Sequence, residues 1–176
     1  MGLALAAVCG LARPAAADEP AAPALRVASV QMEVSAEIAV NLARIERGIR
    51  EAADAGAQLV LFPERALSGF DGATVAAIDW NGLREAMARI AALAAGRRIH
   101  VVYGSATPSP NGRPFNSAIV VGADGAEITR YHKMVPESWF APGDHLALFE
   151  IVGVPCTLIV CHDERFPELV RLPVLA

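Results

Sequence analysis

Three apolar runs of strand length, Leu25 to Met32, Gln58 to Phe62 and Ile99 to Tyr103, are separated by two stretches whose apolar residues recur at helical spacing. That alternation constrains the fold more than any other feature. Strands joined through helices become parallel neighbours, and the connecting helices must cover a sheet face. In the first helix Ile38, Leu42, Ile45, Ile49 and Ala52 form one face, while Glu37, Asn41, Arg44, Arg47, Arg50 and Glu51 form the other. Gly56 stands where a C-cap glycine belongs. The second helix, Gly82 to Ala95, repeats the pattern with Leu83, Met87, Ile90 and Ala94, and Gly96 is expected just past its end. The first run, with Val27, Ala28 and Val30, reads as a buried strand; Pro63 stops the second.

The pattern then changes. Asn116 to Val121 and Ala126 to Arg130 are extended runs around Asp124-Gly125, a hairpin signal. An irregular stretch, His132 to His145, precedes one more apolar strand, Pro155 to Val160, which leads into Cys161. Pro167 and Glu168 suit a helix start, whereas Pro173 is expected to interrupt that helix. The residues thus predict a layered α/β domain with polar side chains gathered at strand ends.

At 176 residues one domain is expected, over residues 25–176. The formal net charge of −4 argues against a nucleic-acid partner, which would select a basic surface. Met1 to Ala17 carries an apolar stretch, Leu3 to Leu11, and the small run Ala15-Ala16-Ala17, resembling a secretory leader, although no Lys or Arg precedes the apolar stretch. Residues 1–24 are therefore expected to be leader and linker of an exported protein, with an Ala-rich extension of a cytoplasmic one as the alternative. The stretch is far shorter than the ~20 residues that span a bilayer. Of three cysteines, Cys9 lies in the leader. Cys156 and Cys161 share one extended segment, where five residues span about 16 Å, so a disulfide between them, limited to roughly 7 Å, is not expected.

Three polar residues each terminate an extended run: Glu64 after Leu61-Phe62-Pro63, Lys133 after Arg130-Tyr131-His132, and Cys161 after Leu158-Ile159-Val160. Singly they are a solvated carboxylate, a surface lysine and a small core residue. Together they supply what acyl transfer needs: a thiol, a carboxylate to take its proton, and an ammonium to offset charge developing on the attacked group. A strand-to-helix turn at Cys161 would also aim backbone N–H groups at an oxyanion.

Leu61-Phe62-Pro63-Glu64 with Ser68-Gly69-Phe70, Arg130-Tyr131-His132-Lys133, and Cys161-His162-Asp163-Glu164-Arg165-Phe166-Pro167-Glu168-Leu169 resemble the glutamate, lysine and cysteine motifs of the nitrilase superfamily of carbon-nitrogen hydrolases. Val27 to Gln31, Tyr103-Gly104, Phe115-Asn116-Ser117-Ala118 and Pro142-Gly143-Asp144 resemble the stretches between them. The resemblance implies an α-β-β-α sandwich, a Glu64-Lys133-Cys161 catalytic set, no metal, no organic cofactor, and assembly of identical subunits. It also implies a second glutamate beyond the lysine, for which Glu137 is the candidate and an exposed loop residue the alternative. Cys-His-Asp-x-Arg-Phe-Pro-Glu is closer to the amidase-like pattern than to the Cys-Trp-Glu of true nitrilases, which implies a small amide substrate. His162 replaces the aromatic residue often found beside the cysteine and either lines the substrate pocket or packs; Glu33, Trp139 and Phe140 are further pocket candidates with the same alternative. The family's domain continues well past the nucleophile, so a domain incomplete at its C-terminus is expected, with an apolar end at Leu169, Val170, Leu172, Val174 and Leu175. Two rival readings stand beside this one: a Cys-His hydrolase using His132 or His162, and a non-catalytic fragment paired with another chain.

Overall fold

The computed structural model describes residues 24–69, 75 and 77–175; the expected leader, Cys9 and Phe70 lie outside the described residues. A five-stranded sheet runs in the order β1 (Val27–Ser29), β2 (Leu59–Leu61), β3 (His100–Thr107), β4 (Phe115–Val121), β5 (Glu127–His132). β1, β2 and β3 are parallel, and β4 and β5 continue antiparallel. The helices α1 (Ile38–Asp54) and α2 (Trp80–Arg97) make the two parallel crossovers.

Both helices cover the same face, because two parallel crossovers of the same hand step in one direction across the sheet. Val60, Phe62, Val101, Tyr103, Ile119 and Val121 pack with Ile45 and Ile49 of α1 and Ile90 of α2. The intervening Leu59, Val102 and Val120 point the other way and meet Ile151, Phe149 and Leu158 of a second sheet, the hairpin β6 (Ala147–Ile151) and β7 (Val154–Leu158). Helices, sheet and sheet are thus three successive layers of the α-β-β-α sandwich. From β7 the chain enters a 3₁₀ turn, Cys161–Arg165, and then α3 (Pro167–Leu175). Pro173 and Val174 of α3 border a cleft with Leu148, Pro155 and Thr157 of the hairpin.

Several expectations need correction. β1 is not a buried strand: among the described residues it has a neighbour on one side only, and Val27 is 46% exposed. Gly96 does not follow the second helix but lies inside it; the exit is at Arg98, left-handed at φ 54, where Ile99 N–H closes on Ala94 O and carries the fully buried Ile99 into the core. Pro173 does not interrupt α3, which runs on to Leu175. A proline so near a helix's end forfeits one hydrogen bond, and Pro173 is the buried residue of that helix. β5 extends through His132, and β6 was not expected at all. Gly56, at φ 76, does end α1, and Pro167 opens α3.

Candidate active site

Glu64, Lys133 and Cys161 leave three different strands and converge. Glu64 lies three residues past β2, held in a tight turn by Arg65, which adopts the left-handed φ of 53. The turn sits directly on β3. A Cβ on Gly104 would fall 2.1 Å from the Arg65 nitrogen and 2.7 Å from both the Glu64 carbonyl carbon and the Pro63 oxygen, all backbone atoms that cannot rotate away. Gly104→Ala is therefore expected to displace the Glu64 turn, with at least a tenfold loss of activity and a cost of about 1–3 kcal/mol in urea unfolding. Wild-type behaviour of this variant would show that the close approach is unimportant.

Lys133 follows β5 and is fully buried. Its Nζ donates to Glu64 Oε1 at 2.9 Å and to Glu137 Oε1 at 3.1 Å. Burial opposes the charged ammonium, but the hydrogen bonds and charges of the two carboxylates outweigh it, and the Lys133 pKa is raised. Glu137 is also desolvated, yet a backbone hydrogen bond, Lys133 and the nearby Arg65 guanidinium lower its pKa on balance. Both groups are charged at neutral pH. An ammonium has three N–H donors, and two are committed to the carboxylates, so one remains for a substrate oxygen.

Cys161 is exposed, with φ 48 at the entrance to the 3₁₀ turn. A non-glycine residue in this region stores of order 1 kcal/mol of backbone strain, and such positions cluster where a side chain must be presented sharply. Burial raises the thiol pKa first and the facing Glu64 carboxylate raises it further; Lys133 and the His162 backbone N–H pull it down incompletely. The thiol is therefore held protonated beside a carboxylate able to accept its proton. A cavity of about 150 Å³ adjoins both Glu64 and Cys161 and reaches between the sheets to Val102 and Leu158.

A residue not singled out in the sequence completes the set. Asn116 of β4 is buried, and its Nδ2 donates to Glu64 Oε1 at 2.7 Å. Asn116 and Lys133 thus hold the same carboxylate oxygen, leaving Oε2 as the freer one. Asn116 sits beside the end of β5, where its carbonyl accepts from the Lys133 backbone N–H at 2.8 Å. The signal was its place at the start of a strand within the hairpin.

The remaining candidates are less central. His162 is exposed and meets Phe166 edge-on at 5.9 Å. Glu33 is paired with Arg44, and Trp139 is 46% exposed. Phe140 is buried beneath the Arg65 guanidinium, which lies 4.7 Å from the ring centroid. His132 stacks on Phe115 and shares a 2.7 Å hydrogen bond with Ser117 Oγ. Burial, then the charges of Arg130 and His145, lower its pKa to about 4, a poor base for a thiol. Among the described residues no cluster of His, Cys, Asp or Glu could hold a metal.

The family model for carbon-nitrogen hydrolases matches residues 26–175. The chain belongs to the carbon-nitrogen hydrolase family. It is 35% identical over 161 residues to the hydrolase Rv0480c of Mycobacterium tuberculosis, covering 82% of this chain and 55% of that protein. It is 27% identical over 160 residues to the human omega-amidase NIT2, covering 84% and 58%. An amidase from Nesterenkonia sp. superposes with a TM-score of 0.77 at 27% identity, covering 85% of this chain and 60% of that one. These relatives put this carbon-nitrogen hydrolase on the amidase-like side of the nitrilase superfamily. The chain spans about half the length of the curated relatives it matches.

Proposed function

We propose that this carbon-nitrogen hydrolase cleaves the C–N bond of small amides through a thioester on Cys161. The observation that carries the reading is the convergence of a protonated, exposed thiol, a carboxylate facing it, and a buried ammonium with one uncommitted donor. Glu64 accepts the thiol proton as sulfur attacks the carbonyl carbon. The oxyanion is held by Lys133 Nζ and the His162 backbone N–H. The C–N bond breaks as Glu64 returns the proton to the leaving nitrogen, releasing ammonia or an amine. Water then adds to the thioester with Glu64 as base, and the acid leaves as the thiol is regenerated.

A small uncharged amide suits the site, because the space beside Glu64 and Cys161 is about 150 Å³ and its deeper wall is apolar. In one mutant of the Nesterenkonia amidase, acrylamide is found added to the active-site cysteine by Michael addition, which supports a nucleophilic cysteine that small amides reach here. Glu137 keeps Lys133 charged and oriented, and the exposed His162, next to the nucleophile, is the candidate substrate contact. We place the protein outside the cytoplasm, as a homo-oligomer, on the leader-like residues 1–17 and the family resemblance.

Ammonia release from a panel of small amides and nitriles tests the proposal. Release from amides should exceed release from nitriles and vanish in Cys161→Ala. Equal turnover by that variant would overturn it.

A further inference from the structure

The turn that carries Cys161 is exposed at His162, Glu164 and Arg165, yet Asp163 between them is completely buried. Among the described residues its carboxylate has no cation within ion-pair distance, and neutral donors satisfy it. Tyr131 OH donates to Oδ2 at 2.6 Å, the Met134 backbone N–H to Oδ2 at 3.3 Å, and the Val135 backbone N–H to Oδ1 at 2.9 Å. Those donors bracket Lys133 in the chain. One side chain from the nucleophile's turn therefore grips the backbone following Lys133 and the last turn of strand before it.

We propose that Asp163 is a positioning residue that sets the register between Cys161 and Lys133. The backbone bonds at the turn are local: Asp163 N–H to Val160 O at 3.1 Å and Phe166 N–H to Asp163 O at 3.0 Å. They shape the turn but do not fix it to β5. The left-handed backbone at Cys161 is strained and would relax if unanchored, swinging the sulfur away from Glu64 and Lys133 together. Asp163 never touches substrate. Asp163 accepts at both oxygens; an asparagine of the same shape would turn an N–H₂ toward one set of donors.

The inference rests on Cys161 being the nucleophile, and its test does not require turnover. Iodoacetamide labelling of the Cys161 peptide is followed by mass spectrometry against pH in the full chain, for wild type, Asp163→Asn and Tyr131→Phe, alongside urea unfolding and ammonia release. In wild type the labelling midpoint should lie above that of an ordinary thiol, since burial and Glu64 both raise it. Asp163→Asn should bring the midpoint down toward the ordinary value and reduce ammonia release about tenfold or more. Tyr131→Phe removes one donor and leaves two, so it should move the midpoint the same way by less. A variant that unfolds more easily but keeps the wild-type midpoint would assign Asp163 a purely structural role and overturn the proposal. If Asp163→Asn does not fold, an unmoved midpoint in Tyr131→Phe overturns it equally. A wild-type Cys161 with an unshifted midpoint would instead count against the assigned nucleophile environment itself.

Discussion

Lys133→Met is expected to reduce amide hydrolysis by at least about a thousandfold and to destabilise the chain by about 2 kcal/mol or more. Methionine nearly matches the stem's volume, so the loss is electrical. Glu64 and Glu137 lose the ammonium that both bond, at 2.9 and 3.1 Å, and Glu137 keeps only the more distant charge of Arg65. Breaking the pair leaves the mostly buried Glu64 carboxylate without its ion-pair partner. Catalysis loses the third N–H donor, and removing a positioned oxyanion donor typically costs ~10²–10³ in rate. The Cys161 midpoint should rise, because Lys133 is a group that lowers it while Glu64 still raises it. Ammonia release, urea unfolding and pH-dependent labelling read these three effects separately. Substantial turnover by the methionine variant would remove Lys133 from the chemistry.

Glu64→Gln should be as severe for activity but opposite in sign for the thiol. The amide oxygen can still accept from Asn116 and Lys133, which hold the wild-type Oε1 at 2.7 and 2.9 Å, so the turn should stay in place. What disappears is the base. Transfer of the Cys161 proton and activation of water both stop, and a loss of about 10³-fold or more is expected. Because Glu64 raises the Cys161 pKa by charge and by hydrogen bonding, its neutral replacement should move the labelling midpoint down. A more readily ionised thiol in an inactive enzyme would separate thiolate formation from catalysis. An unchanged midpoint would mean that Glu64 and Cys161 do not face each other as described.

How much of this was legible in the sequence depended on whether local pattern or tertiary contact decided each feature. α1 could be read because its apolar spacing and Gly56 agree with each other. The strand-end positions of Glu64, Lys133 and Cys161 could be read because each follows an apolar run. The hairpin of β6 and β7 could not. Its two-residue turn is Val152-Gly153 with φ of 52 and 75, a conformation ordinarily signalled by Asn-Gly and poorly suited to a β-branched residue. Leu148 and Glu150 face out of β6 while Phe149 packs inward, and the stretch is short enough for the alternation to pass as loop.

The edge position of β1 was hidden because strand order is not local; Val27 in a central strand would be buried. Asn116 and Asp163 were visible as motif letters, but their roles are made by distance. Asn116 acts on Glu64 across 52 residues, and Asp163 acts on Tyr131 across 32. Neither partner can be inferred from spacing. Both contacts become obvious once β4 and β5 lie side by side and β7 delivers the cysteine turn against them. The proposed chemistry thus depends on a polar network that only the sheet assembles.

The most direct test of the central claim is to quench the wild-type chain with acid during turnover of a small amide and measure the mass of its cysteine peptides. The account predicts a gain equal to the substrate's acyl group on the peptide carrying Cys161, absent from Cys156 and lost when Lys133 is methionine. Turnover without an acyl group on Cys161, or with one on another residue, would contradict it.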